Sequence, residues 1–178
     1  MSGHNRWSKI RHTKGATDAK KGKVFSKLAK IVSLAAKKGG DPDMNPSLRL
    51  AIDKAKQANM PNDNIQRAIK KGTGEDKSAI LEEITYEAYG PNGTALIIET
   101  ITDNKNRTVS EIKHILSMHN GKLADSNSVK YMFEKKNEEW IPKYSTEADE
   151  NLKNKLTKLF EELDDSEDVK DIYSNVNL

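Results

Sequence analysis

The chain has 178 residues, 35% of them hydrophobic and 32% charged, and no cysteine. That length supports one large domain or two small ones, and the missing cysteines exclude disulfides and thiolate metal sites and fit a reducing, cytoplasmic setting. The formal charge of +3 conceals a division: residues 1–71 hold seventeen bases and five acids, net +12, while residues 72–178 hold thirteen and twenty-two, net −9.

Residues 1–16 are polar and basic, without periodicity, and read as an irregular arm containing His4, Arg6, Trp7, Lys9, Arg11, His12 and Lys14. They contain no apolar signal core, and no apolar run in the chain approaches the ~18 residues of a membrane span. An organelle transit segment is the alternative for this Arg-containing start. From Asp18 to Lys38 the pattern predicts a helix, with Val24, Phe25, Leu28, Ile31, Val32 and Ala35 on one face and Lys20, Lys23, Lys27, Lys30, Lys37 and Lys38 beside it. Gly39-Gly40 stops it. Asn45 caps a second helix that begins at Pro46, and Pro61 opens a third that ends at Gly72.

After a polar link the period changes to two. Ile84, Tyr86 and Ala88 alternate, Gly90 to Gly93 turns the chain, and Thr94–Thr102 reads as a buried strand. Thr108 and Glu111 form a capping box before a helix that Gly121 terminates. Val129–Lys135 and Trp140–Tyr144 follow as strands, with Pro142 favouring an edge. A helix carrying Leu152, Leu156, Leu159, Phe160 and Leu163 then precedes a strand over Val169–Val176. The expected fold is α+β: a three-helix module over 1–73, then over 79–178 an extra leading strand and a ferredoxin-like β-α-β-β-α-β body.

The charge division points to docking on a polyanion, and nucleic acid is the natural one. Residues 1–38 hold eleven bases and one acid. Arg6, Lys9, Arg11, Lys14, Lys20, Lys23, Lys27 and Lys30 are the candidate phosphate contacts. Trp7 is a candidate stacking ring for an unpaired base; the alternative is that it packs under the arm. Arg67, Lys70 and Lys71 end the third helix, where cations also favour the helix dipole. Arg49 and Asp53, one turn apart, are expected to pair. Asn104, Asn106 and Arg107 precede a helix N-terminus, as a polar turn and cap or as a phosphate seat.

The four histidines lack metal-ligand spacing, and no Gly-rich phosphate loop or nucleophile motif is present. Glu82-Glu83 and Glu138-Glu139 point apart on strands, unlike a catalytic dyad. The expectation is a non-enzyme with no cofactor, no metal, no membrane and no small-molecule substrate.

Several stretches resemble the YebC/PmpR family, which includes mitochondrial translational activators of cytochrome oxidase subunit I. They are Gly3-His-Asn-Arg-Trp-Ser-Lys-Ile-Arg-His, Asp18-Ala-Lys-Lys-Gly-Lys-Val-Phe-Ser-Lys-Leu, the long segment from Pro46 to Gly74, Tyr86-Glu-Ala-Tyr-Gly-Pro, Thr102-Asp-Asn-Lys-Asn-Arg-Thr and Ser128-Val-Lys-Tyr-Met-Phe-Glu. The tail from Trp140-Ile-Pro to Asp168-Val-Lys-Asp-Ile-Tyr is similar to the family's C-terminus. Members commonly carry a third domain inserted where this chain passes from Lys136 to Trp140, so the resemblance implies that the domain is lacking. Ala88, Ala124 and Asn127 stand where the family pattern more often has glycine.

The resemblance implies a nucleic-acid-binding regulator of gene expression. The first candidate is a transcriptional regulator on duplex DNA. The alternative is a translation factor that binds ribosomal RNA and aids synthesis of proline-rich chains. An adaptor docking an acidic protein is a third.

Overall fold

Asn45 accepts a hydrogen bond from the backbone N–H of Leu48 at 3.1 Å and starts a helix whose first residue is Pro46, as its sequence predicts. In this computed structural model, which describes residues 6–7, 18–77 and 80–178, that helix is the second of five. The chain divides into two compact units. One takes in residues 18–77, 80–82 and 101–103; the other takes in 6–7, 83–100 and 104–178.

The first unit holds α1 (Asp18–Ala36), α2 (Pro46–Gln57) and α3 (Asn62–Thr73). Leu28, Val32 and Ala36 of α1 share a core with Leu48, Ala51, Ile52 and Ala55 of α2 and with Ile65, Ala68 and Ile69 of α3. The hydroxyl of Ser33, buried on α1, donates to the carbonyl of Ala68 at 2.7 Å. At Gly72 the backbones come so close that a Cβ would stand 2.2 Å from the Ser33 carbonyl oxygen, so the contact requires glycine. α3 runs past Gly72 and ends on Gly74, whose left-handed φ of 84° closes the C-terminus.

The second unit is built on β1 (Arg6–Trp7), β2 (Glu82–Tyr89), β3 (Ala95–Thr102), α4 (Lys105–Met118), β4 (Lys122–Leu123), β5 (Phe133–Lys136), β6 (Glu139–Pro142), β7 (Thr146–Glu147), α5 (Glu150–Asp165), β8 (Val169–Ser174) and β9 (Val176–Asn177). Five strands form one sheet in the order β1-β8-β3-β2-β4, while β5–β6 and β7–β9 form separate two-stranded pairs. Leu96, Ile98 and Ile172 face α4 and α5, meeting Ile112, Leu116, Leu156 and Phe160. By strand alternation Ala95, Ile97 and Tyr173 face the other way, onto Val129 and Phe133.

The fold class is α+β, as expected, but the strand pairing differs from the ferredoxin-like order. β5 and β6 lie against a face of the sheet instead of extending it, because Phe133 and Val129 are buried there. The place beside β3 goes to β2, the strand read from sequence as an extra leader. Trp140 of β6 donates its indole N–H to the buried Glu99 carboxylate at 2.9 Å, and the ammonium groups of Lys135 and Lys170 lie 3.7 Å from the same carboxylate. The Trp140 and Lys135 contacts fasten the ribbon to the sheet.

Two further expectations change. The strand expected from Val129 starts only at Phe133, after a 3-10 turn over Lys130–Met132. Val129 and Lys130 give their N–H groups to the Glu87 carboxylate, both at 2.8 Å, and have none left for a ladder. The cap of α4 is Asn104, which accepts from the N–H of Arg107 at 3.1 Å; Thr108 lies inside the helix, its hydroxyl 2.7 Å from Asp168. Among the described residues no helix is long and apolar enough to cross a membrane.

Candidate nucleic-acid interface

α1 carries five lysines against a single acid, Asp18. Its buried residues, Leu28, Val32, Ser33 and Ala36, define one side, and helical geometry puts Lys20, Lys23, Lys27 and Lys30 on the opposite side. Lys20 and Lys23 are exposed, while Lys27 and Lys30 are half-buried. Among the described residues, neither Lys20 nor Lys23 has a carboxylate within ion-pair distance. Like charges three residues apart on a helix repel one another, so Lys20 and Lys23 favour an anion beside them.

α3 adds a second basic surface. Arg67 and Lys70 are exposed and Lys71 half-buried, away from the buried Ile65, Ala68 and Ile69. Arg67 donates to the Asn64 side chain at 3.0 Å, a local tie that leaves the guanidinium at the surface. A polar cleft of about 270 Å³ in the same unit is lined by Asp43, Arg49, Asp53, Lys56, Asn62 and Gln66 among others. Its two acids and two bases balance, so it offers a polyanion nothing. Arg49 pairs with Asp43 at 3.6 Å, not with Asp53, because it also donates to the Pro42 and Asp43 carbonyls in the loop before α2.

The sequence places Arg6 and Trp7 in an irregular arm of the helical module, whereas the structure groups both with the α+β unit. They pair as β1 with Tyr173 and Ile172 of β8. Alternation sends Arg6 to the face of Tyr173, where its guanidinium lies 5.8 Å from the ring centre, donates to Asp171 at 3.0 and 2.8 Å and meets Glu139. Burial alone would lower its pKa, but Asp171, Tyr173 and Glu139 more than offset that and hold it above the ordinary arginine value. Trp7 goes to the helix face and packs on Phe160, ring centres 5.9 Å apart. Arg6 is thus held in an ion pair and Trp7 packs against the core, both of them partly exposed. Lys9, Arg11 and Lys14 lie outside the described residues.

Arg107 is also engaged. It chelates the buried Asp168 carboxylate, with Nη2 at 3.0 and 2.9 Å from the two oxygens. Asn104 caps α4 and Asn106 is exposed, so this segment is arranged as a cap and an ion pair. Tyr86 nearby has its pKa raised, by burial first and then by Asp168. Among the described residues no three of the histidines, aspartates and glutamates stand together to hold a metal ion.

Two family models match the chain: "TACO1/YebC protein N-terminal domain" over residues 5–75 and "TACO1/YebC second and third domain" over residues 81–138. The chain belongs to the TACO1/YebC family. A relative from Desulfosudis oleivorans, named a probable transcriptional regulatory protein, is 51% identical over 177 residues, 99% of this chain and 72% of the relative. A relative of the same name from Acidobacterium capsulatum is 57% identical over 136 residues, covering 76% of this chain and 55% of its own length. The crystal structure of a conserved hypothetical protein from Aquifex aeolicus superposes with a TM-score of 0.83 at 31% identity, covering 96% of each chain. The lysine flank of α1 lies inside the family's N-terminal domain. The second family match ends at residue 138, in the turn between β5 and β6. That turn is two residues long, Asn137 and Glu138, with φ of 49° and 66°.

Sequence reasoning missed Glu87, Glu99 and Asp168, whose partners are distant in the chain. It also passed over Tyr131 and Tyr144, which stand exposed at 64% and 86%. Only their lysine neighbours, Lys130 and Lys143, marked them in the sequence.

Proposed function

We propose that this chain is a non-catalytic regulator of gene expression that binds nucleic acid through the lysine flank of α1. The observation that carries this reading is the exposure of Lys20 and Lys23 opposite the buried side of α1, without carboxylates to neutralise them among the described residues. Lys27 and Lys30 extend the flank, Arg67, Lys70 and Lys71 of α3 supply further cations, and Lys9, Arg11 and Lys14 add charge in sequence. Arg6 and Trp7 are not part of the proposed surface.

Lysines that neutralise phosphates release condensed counterions, so the affinity is expected to be strongly salt-dependent and only weakly sequence-specific. The connection from Lys37 to Asn45 is longer than the tight turn of a helix-turn-helix, which favours reading of the backbone over base edges. The relatives' name supports duplex DNA as the first target. The backbone mode suits ribosomal RNA equally, so both polymers belong in the test.

The experiment compares the full chain with a Lys20→Glu, Lys23→Glu variant by anisotropy on matched duplex DNA and structured ribosomal RNA. The expected result is an affinity loss of tenfold or more and a salt slope reduced by about 2, with an unchanged melting temperature. Unchanged affinity in the variant overturns the reading.

A further inference from the structure

The sequence from 72 to 178 is acidic, yet one corner of the α+β unit is not. β5 and β6 pair from Lys136↔Glu139 to Phe133↔Pro142, and the N–H of Lys143 continues the ladder to the Met132 carbonyl at 2.9 Å. Tyr131 and Tyr144 each come one residue beyond that bond. Tyr131 is 64% exposed and Tyr144 86%, whereas Tyr173 is buried and the Tyr89 hydroxyl donates to the Ser128 carbonyl. A single exposed ring is ordinary; two that each lie one residue from the same hydrogen bond put aromatic surface at one end of the ribbon.

The charges nearest to the two tyrosines in sequence are basic. Between residues 126 and 133, and between 140 and 146, the only charged side chains are Lys130 and Lys143. Among the described residues Lys143 has no carboxylate within ion-pair distance, and Lys130 lies 3.9 Å from Glu87. That carboxylate is already occupied by the N–H groups of Asn127, Val129 and Lys130, at 2.7, 2.8 and 2.8 Å, which pin the chain leading into Tyr131. The corner is thus aromatic, cationic and held by its backbone. Phe133 and Pro142 beside it are buried.

We propose that Tyr131 and Tyr144 form a stacking platform for unpaired bases of single-stranded nucleic acid, with Lys130 and Lys143 meeting the adjoining phosphates. Stacking on aromatic rings tolerates every base, and lysines at the rim supply the backbone attraction. This rests on the nucleic-acid reading above and adds a second contact with a different substrate class: α1 takes phosphate backbone in general, and the tyrosines take strands whose bases are free.

The test measures binding of the full chain to a labelled single-stranded RNA of about 12 nucleotides and to its matched duplex. Tyr131→Ala with Tyr144→Ala is expected to weaken single-strand binding tenfold or more and leave duplex binding unchanged. The Tyr131→Phe, Tyr144→Phe protein should retain single-strand affinity, and Lys143→Glu should lower it; these two keep the test decisive if the alanine variant misfolds. Equal losses on both polymers, or no loss on either, overturn the proposal, the latter pointing the platform to a protein partner. If Lys20→Glu, Lys23→Glu loses duplex binding while the tyrosine variant binds normally, this proposal falls and the α1 reading stands. If the unmodified chain binds neither polymer, both fall.

Discussion

Two nitrogens of Arg6 donate to one oxygen of Asp171, at 3.0 and 2.8 Å, across more than 160 residues of chain. Asp171 is buried and Arg6 only partly exposed. Truncating one partner leaves the other charged and poorly solvated. Arg6→Ala is expected to destabilise the α+β unit by about 2 kcal/mol, less than for a fully buried pair because water reaches Arg6. Urea unfolding measures this. Nucleic-acid affinity of the folded variant should be unchanged, and a loss of affinity there would return Arg6 to the binding surface.

Gly72 and Ser33 set the spacing of α3 on α1. With a Cβ 2.2 Å from a carbonyl oxygen and 2.7 Å from the Ala36 side chain, Gly72→Ala must push the helices apart. The expected cost is about 2–3 kcal/mol. If thermal melting shows the variant as stable as the parent, the helices are not packed this closely.

Glu87 gives the α+β unit an acid-sensitive contact. Burial alone would raise its pKa, but N–H donation from Lys130, Asn127 and Val129 and the Lys130 charge hold it below the ordinary glutamate value. A group with a lowered folded-state pKa contributes stability above its unfolded value, about 4.3, and that contribution disappears as pH falls through the folded value. Stability should therefore drop below about pH 4, and Glu87→Gln, less stable by about 2 kcal/mol near neutrality, should show a shallower drop. Identical acid limbs for parent and variant would contradict this.

The turn Asn137–Glu138 has both residues at positive φ, 49° and 66°, as a two-residue hairpin demands. Asparagine tolerates that region; glutamate does so at a cost. The Glu138 carboxylate is exposed, and its 3.4 Å ion pair with Lys135 is worth little. Glu138→Gly should stabilise the protein by about 0.5–1 kcal/mol, measurable as a shift in the urea midpoint. A destabilised variant would mean that the ion pair outweighs the strain.

What the sequence determined by itself was local. Asn45-Pro46 starts α2, apolar spacing in α1 and α5 marks their buried sides, and the run Ala95 to Ile98 makes a buried strand, because caps and periodicity act between near neighbours. The lysine flank of α1 was legible for the same reason: helical spacing alone fixes which side chains share a side. Tertiary structure decided the rest. Two residues of strand sent Arg6 to Asp171 and Trp7 to Phe160, tying both to partners far along the chain. Glu87 converted the start of an expected strand into a 3-10 turn, and Asp168 drew Thr108 inside α4, leaving Asn104 as its cap. Each of these outcomes rests on a carboxylate or ring supplied from 40 or more residues away, a partner that no local pattern can announce.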